Sequence, residues 1–247
     1  MTSPSYDVSR RGFLVGMAGV AGTALAIGTA APAGGADNKA LYTPDQALRW
    51  LKQGNRRWVN GNIRNVDHTP PNSDTNRGQW PFAAILSCAD SRVNPERVFD
   101  VQRANLFNVR NAGNIGSDGI SIGSLEYSVA VLKVPLVVVL GHSGCGAVAA
   151  SQNTLRTGEY PGGDIDDVVN AILPALRELP EDQTLPEGIW ANAAYSARAL
   201  RQSSIIRDAI ERGELQVKHA KYNLRSRRAT FARPSVGDRA HLKAASK

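Results

Sequence analysis

Residues 136–140 read Leu-Val-Val-Val-Leu, five consecutive apolar residues that end at Gly141-His142. A run this short and this continuous fits a strand buried on both faces, and such strands belong to parallel sheets covered by helices on either side. Residues 82–87 form a second run of this kind and 105–109 a third. Helical patterns separate and follow them. Thr43-Pro44-Asp45-Gln46 is a helix start, with Thr as cap, Pro in the first turn and Gln at the reciprocal capping position. Leu48, Leu51, Trp58 and Val59 continue it as an apolar stripe. Residues 69–78 are polar and Pro-containing, hence loop. Residues 120–132 place Leu125, Val129 and Leu132 on one helical face. Further helices are expected from about Ala147, over 164–179 and over 190–212, and residues 216–224 with 229–231 close as an edge hairpin. The expected fold class is α/β, a mainly parallel central sheet flanked by helices.

The only two cysteines sit just past two of these strands. Cys88 opens Cys88-Ala89-Asp90-Ser91-Arg92, and Cys145 closes His142-Ser143-Gly144-Cys145. In open α/β sheets, ligands bind beyond the C-terminal ends of the strands. Loops from adjacent strands can therefore converge although Cys88 and His142 lie 54 positions apart. Thiolate and imidazole donors favour zinc, which is commonly four-coordinate and keeps its fourth position open at catalytic sites. Cys88, His142 and Cys145 supply three ligands, and Asp90 is the candidate for the fourth position. A disulfide between the cysteines is the competing reading, but it requires neither His142 nor Asp90 at these spacings.

Charge is segregated along the chain. The net charge is +7, yet residues 218–247 hold nine Lys/Arg and one acid (+8), leaving 20 bases and 21 acids (−1) elsewhere. The excess belongs to one end and reads as a solvated tail rather than a nucleic-acid face. At the other end, Ser9-Arg10-Arg11-Gly12-Phe13 precedes an apolar run over 13–27, too short to span a bilayer, and Ala31-Pro32-Ala33 supplies an A-x-A cleavage pattern. This resembles a twin-arginine export signal. The expected organisation is a signal over 1–33, one catalytic domain over 34–232 and a basic tail over 233–247. The expected location is periplasmic, cell-wall or secreted, with membrane contact only during export.

Taken together, these motifs resemble the beta-class carbonic anhydrases. Cys88-Ala89-Asp90-Ser91-Arg92-Val93 is similar to the first family motif and His142-Ser143-Gly144-Cys145-Gly146 to the second. Residues 106–114 and Leu125-Glu126-Tyr127 match the segments between them. The resemblance covers about 43–231. It implies one Zn2+ per chain and reversible hydration of CO2 to bicarbonate and a proton by zinc-bound hydroxide. It implies that Asp90 orients the hydroxide, coordinating zinc only in a closed form, and that Arg92 holds Asp90. It further implies that Gln79, Phe107, Tyr127 and the Gly144 backbone bind substrate, and that the protein is a homodimer or a multiple of dimers. On that reading, Trp50 and Trp58 on the first helix embrace the partner subunit.

The chain departs from the family in one informative place. Some bacterial members carry a tryptophan three residues before the first ligand cysteine, which favours the closed form. Ile85 stands there in this chain, so an open site near neutral pH is expected. Two rival functions share the scaffold: hydrolysis of carbonyl sulfide or carbon disulfide, and catalytically inactive zinc binding. Asp90 and Arg92 argue against the second, since holding zinc needs neither.

Overall fold

The structure is a computed structural model that describes residues 42–64 and 78–233. The expected export segment over 1–33, the tail from residue 234 onward and loop residues 69–77 lie outside the described residues. In chain order the elements are α1 (Pro44–Asn60), β1 (Ala83–Cys88), α2 (Pro95–Val98), β2 (Leu106–Asn111), a 3-10 turn (Ala112–Asn114), α3 (Gly119–Ala130), β3 (Leu136–His142), α4 (Gly146–Thr157), α5 (Ile165–Leu176), α6 (Leu185–Leu200), α7 (Ser204–Glu211), β4 (Gln216–Tyr222) and β5 (Ala229–Phe231).

The sheet order is β2-β1-β3-β4-β5. All pairings are parallel except β4 with β5. Every residue of β1 and of β3 is buried. Alternation explains how five apolar residues in a row are all used. Leu136, Val138 and Leu140 join a cluster with Ala47, Leu51, Phe82 and Phe99 on one face, while Val137 and Val139 join Leu125, Val129, Ala193 and Ala197 on the other. Removing such a side chain from water contributes roughly 1.5–3 kcal/mol, so the central strands anchor both layers.

Three differences from the sequence expectation have local causes. The segment expected as one helix over 190–212 is two. Thr184 and Glu187 form a capping box that starts α6 earlier, and the Ser203 hydroxyl accepts from Ile206 N at 3.3 Å to start α7. β4 is not half of an isolated edge hairpin. It pairs with β3 in parallel over the full register from Leu136↔Gln216 to His142↔Tyr222, and only β5 lies at the edge. Lastly, α1 covers its own chain. Trp50 meets the Phe82 ring edge-on at 5.3 Å, and Trp58 Nε1 donates to the Tyr222 hydroxyl at 3.0 Å. The two tryptophans expected against a partner are thus engaged within the chain.

Candidate metal centre

Cys88 is the last residue of β1 and His142 the last of β3, and the two strands are hydrogen-bonded neighbours. Cys145 is the N-cap residue of α4. Two strand ends and a helix start therefore deliver three donors to one point. All three side chains are buried, and their ligand atoms lie within 4.8 Å of one another. Both thiols are free, so the disulfide reading does not describe this structure.

The donor set fits zinc. His142 Nδ1 lies 3.1 Å from the Ser143 carbonyl oxygen, which can only accept, so Nδ1 carries the proton and Nε2 presents a lone pair. Nε2 is buried and has no hydrogen-bond partner among the described residues. A buried acceptor without a partner costs free energy unless something occupies it, and with two sulfurs within 4.8 Å this lone pair is suited to a metal ion. Ser143 is itself pinned: its hydroxyl accepts from Leu224 N at 3.0 Å, and its backbone N donates to the Tyr222 carbonyl at 2.9 Å.

The thiols are unequal. The hydrogen bond from the Cys145 thiol pulls Cys88 down to about 4 against its burial, helped by the Gly113 N–H at 3.4 Å from its sulfur. Cys145, keeping the shared proton and buried, is pushed up, although the N–H groups of Ala147 and Val148 in the first turn of α4 oppose that shift. Gly113 is required for this contact: its φ is 79°, and a Cβ there would lie 2.7 Å from the Ile172 side chain.

Asp90 and Arg92 sit in the turn after β1. Arg92 Nε donates to Asp90 Oδ1 at 2.9 Å and Nη2 to Oδ2 at 2.6 Å, a two-point pair reinforced by the Arg92 backbone N at 2.9 Å from Oδ1. This grip holds the Asp90 carboxyl well below the usual carboxylate range. Asp90 Oδ2 lies 4.0 Å from His142 Nε2, so the carboxylate borders the cluster while engaged with Arg92. Arg110 fastens the whole turn, donating to the Cys88 carbonyl at 3.1 Å and to the Asp90 carbonyl at 2.7 Å. The sequence alone does not assign Arg110 this role. Its signal was register: Arg110 lies on β2 opposite Ser87, one pair short of the ligand.

The other expected site residues are placed differently. Gly144 stands within the ligand loop at φ 69°, with open space where a Cβ would be, so backbone conformation rather than crowding requires glycine there. Gln79 precedes β1, at the opposite end of the strand from Cys88. At about 3.3 Å per residue, the strand from Ala83 to Cys88 is itself about 16 Å long. Phe107 is level with Ala84, four pairs before the Cys88–Asn111 pair, and its ring centroid lies 6.3 Å from that of Tyr127. The structure therefore does not bring Gln79, Phe107 or Tyr127 to the metal cluster of their own chain.

A parallel α/β sheet carrying a buried Cys-His-Cys centre at its strand ends, bordered by an arginine-held aspartate, defines a zinc-dependent α/β protein. A family model described as carbonic anhydrase matches residues 83–228, more than half of the chain. The chain belongs to the carbonic anhydrase family, in its beta class. Carbonic anhydrase 2 of Mycobacterium tuberculosis is 44% identical over 137 residues, 54% of this chain and 64% of that protein. The carbonic anhydrase of Pseudomonas aeruginosa is 33% identical over 160 residues, covering 61% and 72%. The chain thus spans slightly under two thirds of the mycobacterial relatives' length. Among solved structures, the β-carbonic anhydrase CafA of Aspergillus fumigatus superposes with a TM-score of 0.58 at 25% identity, covering 81% of this chain and 97% of that one. Tetrameric β-carbonic anhydrases of Sordaria macrospora share the fold at a TM-score of 0.58 and 23% identity, covering 74% of this chain and 95% of that one.

Proposed function

We propose that the chain catalyses reversible hydration of CO2 to bicarbonate and a proton, with one zinc per chain. The observation that carries this reading is Asp90, gripped at two points by Arg92 and 4.0 Å from the unpartnered His142 Nε2. Holding zinc needs neither residue; orienting a nucleophile beside it needs both. The relatives above, all named as carbonic anhydrases, support the same chemistry.

Cys88, His142 and Cys145 would hold the metal. When bound, zinc supplies the Lewis acidity that makes water a nucleophile near neutral pH. Two thiolates offset its charge, which leaves more of the orienting work to neighbouring groups. Asp90, kept ionised by Arg92, accepts a hydrogen bond at Oδ2 from the attacking water and turns the oxygen lone pair toward the CO2 carbon. One C–O bond forms, one C=O electron pair moves onto oxygen, and one proton of the water passes to solvent. Arg92 is a positioning residue: engaged with it, Asp90 is not a metal ligand, which is the open form.

Gln79, Phe107 and Tyr127 act on this reading in the site of a partner subunit. Their distance from their own cluster and the exposure of Tyr127 support that assignment. Residues 1–33 act as a twin-arginine export signal, on the strength of Arg10-Arg11 before a short apolar run.

Stopped-flow CO2 hydration by the zinc-loaded protein tests the activity. Asp90→Asn is expected to lower kcat/KM by about a hundredfold or more, the usual scale for a misplaced proton-handling group, with zinc retained. A wild-type rate equal to buffer sinks the proposal.

A further inference from the structure

Two adjoining cavities lie outside the metal centre. One, of about 320 Å3, is lined by Gln53, Arg56, Arg57, Asn60, Asn62 and Arg64, with no carboxylate in its wall. The other, of about 420 Å3, has the aromatic side chains Tyr42, Trp50, Trp80 and Phe82 in its wall, together with Asp100 and polar Gln102 and Asn105. Gln53 and Arg57 line both, so the cationic and aromatic compartments share a side. Phe82 enters β1 where Cys88 leaves it, which puts the aromatic compartment at the opposite end of that strand from the metal cluster.

The arginines are organised by one buried group. The Asp100 side chain is fully buried and its backbone is left-handed, at φ 45°, a conformation a non-glycine residue adopts only where its surroundings enforce it. Arg57 Nε pairs with Asp100 Oδ2 and Nη2 donates to the Asp100 carbonyl at 3.0 Å. Arg64 N donates to both carboxylate oxygens, at 3.1 and 3.2 Å. One aspartate thus fixes the Arg57 fork and the chain position from which Arg64 projects. Of the three arginines, Arg57 is the one whose guanidinium pairs with it. Arg56 and Arg64 form no ion pair among the described residues. A cleft with two guanidiniums that pair with no carboxylate among the described residues, and three amide side chains, suits a dianionic phosphate, which planar forks bind in bidentate fashion. In the adjoining compartment Trp80 is 43% exposed, an apolar surface that water covers poorly.

We infer that this groove binds an organic phosphate, its phosphate in the arginine cleft and a planar ring against Trp80, with nucleoside phosphates as the fitting class. The inference is independent of CO2 hydration. Isothermal titration of the zinc-loaded full chain with ADP, inorganic pyrophosphate and adenosine tests it. ADP is expected to bind tightest, with pyrophosphate about tenfold weaker for want of one stacked ring and adenosine weakest. An Arg56→Ala/Arg64→Ala double variant should lose at least tenfold for both phosphates while hydrating CO2 at the wild-type rate. Trp80→Ala should reduce ADP binding to that of pyrophosphate, and Arg49→Ala, on the exposed face of α1 outside both cavities, should change neither. Absence of binding at millimolar ligand, phosphate binding unmoved in the double variant, or ADP no tighter than pyrophosphate would each overturn the inference.

Discussion

Cys88 and Cys145 differ in what they do before metal arrives. In the metal-free fold they share one proton: Cys88 is drawn down to about 4 by the Cys145 hydrogen bond, and Cys145 is pushed up. Zinc loading at about pH 6 is therefore expected to release one thiol proton, not two, measurable by titration in buffers of different ionisation enthalpy. Stability follows the same sign. An unfolded thiol titrates near ~8.5, so the depressed Cys88 contributes stability that is present above that value and lost as pH falls toward about 4. The melting temperature of the metal-free protein should accordingly rise with pH across that window. Cys88→Ser and Cys145→Ser should each bring zinc below a tenth of an equivalent, read by metal analysis. Arg92→Ala should keep zinc yet lose most hydration, because Asp90 is then free to swing onto the metal, while Arg92→Lys, unable to grip at two points, falls between. The ligand triad and the Asp90–Arg92 pair were legible in the sequence, since both rest on short spacings within single turns. The Arg110 clamp and the Ser143–Leu224 bond were not, because they depend on strand register and on a residue 81 positions away.

At the scale of elements, legibility followed burial. β1 and β3 carry nearly continuous apolar runs because both of their faces are buried. α2 escaped notice at four residues, although Asn94-Pro95 is a start signal and the Asn94 side chain does accept from Arg97 N at 2.9 Å. The parallel docking of β4 was hidden because its pattern of half-buried residues also suits a hairpin. α1 illustrates a constraint that periodicity alone does not show. Gly54 is buried in the helix interior, where glycine is ordinarily unfavourable by about 1 kcal/mol. The reason is contact: a Cβ at Gly54 would fall 1.6 Å from the Phe99 carbonyl oxygen. Gly54→Ala is thus expected to destabilise by about 3 kcal/mol or more through overpacking, despite the better helix propensity of alanine. The midpoint of urea denaturation reads this directly, and an unchanged or raised midpoint would show that α1 does not pack as described.

For the whole molecule, the remaining question is what completes the site. Phe107 and Tyr127 pack together away from their own metal cluster, beside other uncovered apolar surface. β2 is an edge strand, pairing only with β1 among the described residues. On α3 beside it, Ile120 is 83% exposed and Tyr127 46%. Gly119 and Gly123, on the same helix, have open space where a side chain would stand, so another backbone can approach closely. Exposed apolar residues beside an unpaired strand edge and a smooth helix face describe a surface awaiting a partner. A second copy fits, because a two-fold interface brings the same residues of both subunits together. The protein is therefore expected to sediment as a dimer or a multiple of dimers at micromolar concentration. Ile120→Asp, placing charge at the centre of that face, should yield monomers that retain zinc but hydrate CO2 poorly. Sedimentation, metal content and hydration measured on the same sample separate the outcomes: a zinc-loaded monomer with wild-type turnover would show that each chain is complete by itself.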